Sequence, residues 1–438
     1  MKKTKIFFSI LGMFFTLSCI AQSYDYSKYL FPDIKYKSLI VGADANYINP
    51  EQARQFNSSR TIFNNSDNIS FSNFNFSRKK NVYDYANLAF RFNAYENSKN
   101  ENKRDIFIYP SLQLIRNATY YNSKNQFISY WINLDNYYQA EKIYDQASTK
   151  SLSTNLKTSI GIGKGRLENV SVLVNTQNLM KDLQEENPAF QNLTESELFG
   201  LADKISQSRY RRIFDRRKYS KALIRSIHEW FEENGKINTL EHISLSTTIM
   251  DYLLLTSYFE RTNGKVKEIS LENFAYHNNY SIYQDYTSTQ HAVKLKYQNN
   301  VALNLKRQSN FSTELKYIFN KDWKSAYINS NLSGPYLVSN YTWAYYPDSR
   351  NSMSLSPSIQ YSYATQNKNH FVRPAINFSY DRLFQFRTSF NIGLELYQNF
   401  KSDTQDEILR NLSSYYLAGT NLKKTYVNFN IGFRHNIF

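Results

Sequence analysis

TYVNFNIGFRHNIF, residues 425–438, alternates almost without fault. Val427, Phe429, Ile431, Phe433 and Ile437 share one face, Asn428, Asn430, Gly432, Arg434 and Asn436 share the other, and the stretch stops on Phe438. Period-two alternation marks a strand with unlike faces. One oily face and one wet face over about ten residues fit a strand that crosses a bilayer at a tilt.

The same pattern recurs upstream. Phe384, Phe386, Thr388, Phe390, Ile392, Leu394 and Leu396 oppose Gln385, Arg387, Ser389, Asn391, Gly393 and Glu395. Met353, Leu355, Pro357, Ile359, Tyr361 and Tyr363 oppose a serine-rich face. Leu156, Thr158, Ile160 and Ile162 oppose Asn155, Lys157, Ser159 and Gly161. A soluble β-sandwich also alternates, but its strands meet polar turns every 8–12 residues or so. Many of these stretches run longer, and beyond the first residues no apolar run is long enough for a spanning helix. The expected fold is an all-β membrane barrel of about 14–16 antiparallel strands. The stretches number sixteen, among them 301–309, 311–319 and 324–332 with a connection near 310; fourteen follows if the second strand, which breaks parity at Asn73, does not stand and Asn299-Asn300 sits inside one long strand rather than in a tight turn.

Composition agrees. The chain holds 37 Tyr and 31 Phe but 12 Gly, its mean hydropathy is −0.60, and its formal net charge is +16. Aromatic excess with negative hydropathy suits barrels, whose lumen is polar and whose interfaces carry aromatic girdles. Residues 1–21 read as an export signal: Lys2, Lys3 and Lys5, an apolar run from Ile6 to Ser18, then Cys19-Ile20-Ala21. Cys19 is the only cysteine, and a lipidated Cys19 is the rival reading of that signal. An exported basic chain meets anionic lipid, lipopolysaccharide or anionic solutes rather than nucleic acid.

With the C-terminus placed in the periplasm, short connections fall at 381–382, 347–351, 320–323, 299–300 and 78–81, and the long polar ones fall outside. The expected segments are 22–165 (barrel strands), 166–264 (helical periplasmic insert) and 265–438 (barrel strands). In the insert, Thr194 and Glu197 form a capping box with Leu193 stapled to Leu198. Further helices are expected over 171–184, from Asp215 to before Gly235, and within 239–258, with Asn263-Gly264 as the turn into the next strand.

The Ala-Gln signal end, the Tyr- and Asn-rich strands and the terminal Phe resemble outer-membrane β-barrel proteins of the Bacteroidota type. Gly161-Ile-Gly163-Lys-Gly165-Arg166-Leu167-Glu168, followed by Arg212-Ile-Phe214-Asp215-Arg216-Arg217, is similar to an uncharacterised group among them with a periplasmic helical insert. The resemblance implies location and fold, not an activity. It also implies that Phe433, Ile437 and Phe438 serve as the signal to the barrel-assembly machinery, with Ile437 in phase with the lipid-facing set and Phe438 one step out.

No motif carries chemistry. Gly161-x-Gly163-x-Gly165 lacks the third spacing of dinucleotide loops and the Gly-Lys-Ser/Thr of phosphate loops, so its small residues are expected to relieve crowding. The six histidines are scattered without zinc spacing. No catalytic residue, cofactor or metal is expected. Two basic sets remain. Arg91, Lys157, Lys294, Lys296, Lys316, Arg373, Arg387 and Arg434 fall on the polar face and would favour anions in a water-filled lumen. Arg209, Arg211, Arg212, Arg216, Arg217, Lys218, Lys221 and Arg225 form a patch on the insert, suited to anionic headgroups or an acidic periplasmic partner. A porin-like channel for small, anionic solutes is the first expectation. A non-transporting scaffold of an export, assembly or envelope-tethering complex is the second.

Overall fold

Fourteen strands follow one another along the chain: β1 (Ile34–Tyr47), β2 (Thr61–Phe76), β3 (Lys80–Glu96), β4 (Arg104–Tyr121), β5 (Gln126–Lys142), β6 (Thr149–Asn169), β7 (Thr262–Tyr280), β8 (Tyr286–Asn304), β9 (Arg307–Lys324), β10 (Gly334–Tyr345), β11 (Asn351–Ala364), β12 (Asn369–Gln385), β13 (Thr388–Gln398) and β14 (Thr425–His435). The computed structural model describes residues 24–47, 61–96, 104–142, 148–186, 190, 193–209, 216–236, 245–250, 259–280, 286–324, 329–331, 333–365, 369–385, 388–398, 400–401 and 425–435. Each strand pairs antiparallel with its neighbours in sequence. The short pieces Asn329–Asn331 and Phe400–Lys401 continue β10 and β13 across breaks. This all-β, up-and-down meander is the architecture of a barrel wall. β1 and β14 are its two ends, and no pairing between them falls among the described residues.

The strands form because alternation gives each one a face to bury on each side of the sheet. On the apolar face a cross-strand row runs Ile128–Ile162–Ile269–Leu295–Leu315–Leu337–Tyr361 from β5 to β11. A second row near the chain end joins Leu394 to Phe429 and Ile392 to Ile431. Most of these side chains are exposed, Ile128 by 56% and Leu295 by 47%. The charged side chains of the opposite face are more covered, Glu272 by 80% and Lys294 by 84%, being 20% and 16% exposed. A curled sheet crowds its concave face, so the polar face is the inner one.

Contacts between distant strands require that curl. On a flat sheet β1 and β6 would lie about 24 Å apart, at about 4.8 Å per strand. Yet the Phe31 N–H, just before β1, donates to Glu168 Oε2 of β6 at 3.3 Å. Arg166 of β6 likewise reaches the carbonyls of Ser77 and Arg78 in the β2–β3 turn, at 3.0 and 3.1 Å.

The turns 77–79, 122–125, 305–306 and 346–350 lie at one end of the sheet, and the insert leaves from that same end between β6 and β7. It holds α1 (Ser171–Glu186), α2 (Glu195–Arg209), α3 (Arg216–Glu233) and a helical stretch over 245–250. Leu173, Leu179 and Leu183 of α1, Leu198, Leu201 and Ile205 of α2, and Leu223, Ile227 and Phe231 of α3 form its core. That core is continuous with Tyr26, Tyr29 and Phe31 of the segment leading into β1, and with Ile34, Phe76 and Ala302 of the inner face. The insert therefore packs against the inside of the rim.

Several expectations need correction. Asn299-Asn300 lies inside β8, position 310 and residues 320–323 lie inside β9, and the turn between them falls at Leu305-Lys306. The strand expected over 324–332 is not separate, so fourteen is the count among the described residues. Asp381-Arg382 lies inside β12, which runs on to Gln385. Strands β6 and β7 extend to Asn169 and Thr262, which shrinks the insert to 170–261 and puts Asn263-Gly264 in a strand. The oily Phe74 and Phe76 that blurred β2 face inward because the insert core covers them.

The capping box forms as expected: the Thr194 N–H donates to Glu197 Oε2 at 2.8 Å and the Glu197 N–H to Thr194 Oγ1 at 3.4 Å. The Thr194 amide and the Lys236 ammonium, 2.9 Å away, hold the Glu197 carboxyl down at about 2. A depressed carboxyl stabilises the folded state fully above its unfolded value of about 4.3 and loses that contribution as pH falls through about 2. Glu197→Gln is expected to raise amide exchange in the first turn of α2 at pH 6, with the gap to wild type closing toward pH 2. An equal gap at both pH values would contradict this.

Candidate functional site

The inner wall carries paired charges. Glu272 of β7 sits between Lys294 of β8 at 2.5 Å and Lys316 of β9 at 2.6 Å, and Lys316 also meets Glu314 at 3.6 Å. Lys296 stands opposite both Glu268 and Glu314 in register. Glu268 accepts the Ser129 hydroxyl at 2.6 Å. On the far side Arg373 pairs with Glu395 at 3.0 Å and lies 4.0 Å from the Tyr397 ring centroid. Lys157 lies 5.5 Å from the Phe274 ring centroid, and Arg91 stands opposite Tyr109 on β4. The basic residues expected on this face are there, but Glu268 and Glu272 sit among them. That signal was readable: Ile269 and Leu271 fix the outer parity of β7, which sends both glutamates inward. Arg387 lies outside the described residues, and Arg434 is placed by its backbone pairing with Ser389.

The wall is aromatic as well as charged. Tyr95, Phe107, Tyr109 and Tyr137 follow one another across β3 to β5 with centroid spacings of 5.2, 6.3 and 6.0 Å. Such a surface offers ring faces beside hydrogen-bonding groups, a mixed lining that suits small polar solutes.

Two buried arginines tie the insert to the rim. At Gly165 the φ angle is +102°, and a Cβ there would run into the Lys265 carbonyl, so only glycine fits. The reversal turns Arg166 inward. Its guanidinium lies over Phe76 and Tyr121, 4.4 and 4.8 Å from their centroids, and pairs with Glu168 at 2.9 Å. At the other junction Arg261 is 1% exposed. It donates to the carbonyls of Leu305 and Asn304 at 2.6 Å, of Arg307 at 2.8 Å, and to Gln308 Oε1 at 3.1 Å. Tyr346 of the β10–β11 turn stacks on it at 4.9 Å. Tyr26, 6.0 Å away, donates to Gln177 of α1, and burial pushes its hydroxyl up to about 12. From sequence Arg166 stood out only as part of a motif and Arg261 not at all, because each acts on turns remote along the chain.

The insert thus touches the rim on both sides, from the β2–β3 turn to the β10–β11 turn. Between the leading segment, the turns and Arg166 lies a cleft of about 1140 Å³, and α1 leaves a smaller one of about 240 Å³ against Pro347–Arg350. Of the basic patch, Lys221 and Arg225 are exposed on α3, and Arg209 is half-buried at the end of α2. The backbones of Arg216, Arg217 and Lys218 open α3, and Arg211 and Arg212 lie outside the described residues. Of the expected assembly signal, Phe433 is exposed on the apolar face, and Ile437 and Phe438 lie outside the described residues. Among the described residues no three His, Cys, Asp or Glu gather to hold a metal ion.

No family model matches the chain, and no curated protein matches it. Among solved structures it is similar to the CymD monoaromatic hydrocarbon channel, at 6% identity over 87% of this chain and 90% of that one, with a TM-score of 0.20. At that score the overlap carries no argument.

Removing Arg261 strands three carbonyls that its guanidinium now satisfies, at about 1–3 kcal/mol for each buried group left unpaired. Arg261→Met is expected to weaken docking of the insert by about 3 kcal/mol, read as lost amide protection in α1 and in the β8–β9 turn, while Arg225→Gln leaves both unchanged. Full protection in the Met variant would refute the clamp.

Proposed function

We propose that this chain is an outer-membrane β-barrel of the Bacteroidota type, β1 meeting β14, that passes small solutes and carries its helical insert across the periplasmic mouth. The observation that carries the reading is the contrast between the two faces of one sheet. The outer face presents rows of bare aliphatic side chains, which water would penalise by about 25 cal/mol per Å² and lipid would not. The inner face presents paired charges, amides and rings. Strands of 11 to 21 residues are long enough to cross an apolar slab at a tilt. Tyr297 with Phe311, and Trp343 with Tyr345, stand on the outer face toward the short-turn end, where interfacial aromatic residues gather. Short turns belong to the periplasmic side, which puts the insert there too. A cleaved export signal over residues 1–21 completes the reading, and no catalytic role is part of it.

The wall modifies the expected selectivity. Glu272 offsets Lys294 and Lys316, and Glu395 offsets Arg373, so the anion preference is mild. A scaffold is the second reading, favoured by the exposed cations of α3 on the outer side of the insert. Cross-linking from Lys221 in intact envelopes separates the two: one discrete protein partner supports the scaffold, and its absence supports the channel.

Glu272→Gln removes the carboxylate between Lys294 and Lys316 and makes the lumen more basic. In planar bilayers under a KCl gradient the variant is expected to shift the reversal potential toward the chloride limit. A shift toward potassium, or protein that inserts and never conducts, would contradict the channel reading.

A further inference from the structure

The outer face carries a groove of about 1010 Å³ between β5 and β9, floored by Ile128, Ile162, Ile269, Leu295 and Leu315. Each of these is between 45% and 60% exposed. One step nearer the short-turn rim, on the same face, the aliphatic series gives way to Lys164 after Ile162 on β6 and to Lys267 before Ile269 on β7. Lys164 and Lys267 are direct cross-strand partners. Like charges so placed repel and destabilise the pair. Among the described residues neither meets a carboxylate; Lys267 has only the Tyr297 ring, with its ammonium 5.8 Å from the centroid. Glu268, next in sequence, points to the other face and is taken by Ser129. Lys265 follows two residues nearer the rim.

We propose that this groove is a binding site for one phospholipid with an anionic headgroup, drawn from the periplasm-facing leaflet. The order of residues from mid-sheet to rim, aliphatic then cationic then turn, matches the order of acyl chain, phosphate and water. Opposed residues of an antiparallel pair have Cα atoms about 5 Å apart, so both ammonium groups reach one phosphate, and its charge relieves their repulsion. The proposal rests on the membrane reading above, and it assigns Lys164 and Lys267 a role that the channel itself does not require.

The test uses the full-length protein purified in detergent, with phosphatidylglycerol and phosphatidylcholine of equal chain length offered in competition and bound lipid counted by native mass spectrometry. Wild type is expected to keep one phosphatidylglycerol in preference to phosphatidylcholine. Lys164→Gln with Lys267→Gln is expected to lose about thirty-fold in that preference, equivalent to about 1 kcal/mol per lysine. The double Arg variant is expected to retain it. Undiminished preference in the double Gln variant, or equal binding of both lipids by wild type, overturns the site. Urea-resistant membrane association is scored alongside: if both proteins keep it, the barrel reading stands whatever the lipid result, and if both lose it, the barrel reading and the site fall together.

Discussion

The rim of this sheet depends on a backbone reversal at Gly165. Its positive φ and the close approach of the Lys265 carbonyl exclude any side chain. Two cations that stand two residues apart consequently face opposite ways. Lys164 stays with the outer, aliphatic set, while Arg166 turns inward onto Phe76 and Tyr121. Without the reversal, Arg166 would project from the apolar face, and the β2–β3 turn would be out of its reach.

From that point the architecture follows in order. Arg166 gathers the early turns and the segment leading into β1, and Arg261 gathers the later ones. Because both clamps bind backbone carbonyls, they hold the turns whatever the turn side chains are. The helical core then buries itself on inward residues at the rim, Ile34, Phe76 and Ala302. A simple pore needs none of this. On the proposed channel reading, an insert fastened at both junctions, with clefts beside it, restricts traffic through that mouth. On the same reading, the neutralised charges and ring faces of the inner wall leave only a mild preference between solutes of either sign.

Much of the fold was legible in the residues. Alternation marks the strands because one face is aliphatic and the other polar, so parity survives along each. The capping box at Thr194 and Glu197 and the apolar stripe Leu223, Ile227, Trp230 and Phe231 mark helices by local chemistry alone. The errors have a common cause. Asn299-Asn300 resembles a turn but sits in register, while the true turn, Asn304-Leu305-Lys306-Arg307, lacks glycine and is held by donors from Arg261, more than forty residues away. The end of β6 was placed too early because Gly165 bends the strand without ending it. The acids at Glu268 and Glu272 were overlooked although parity places them, and they change the expected field of the wall more than any other residues.

The central claim is that one sheet faces lipid on its aliphatic side and water on its polar side. Single cysteines placed in turn at Ile269, Leu271, Glu272 and Phe274 of β7, in a Cys19→Ser background, test it directly when the protein is reconstituted in liposomes. A water-soluble, membrane-impermeant maleimide is predicted to label positions 272 and 274 and to spare 269 and 271. Labelling of all four, or of 269 and 271 instead, would contradict the account.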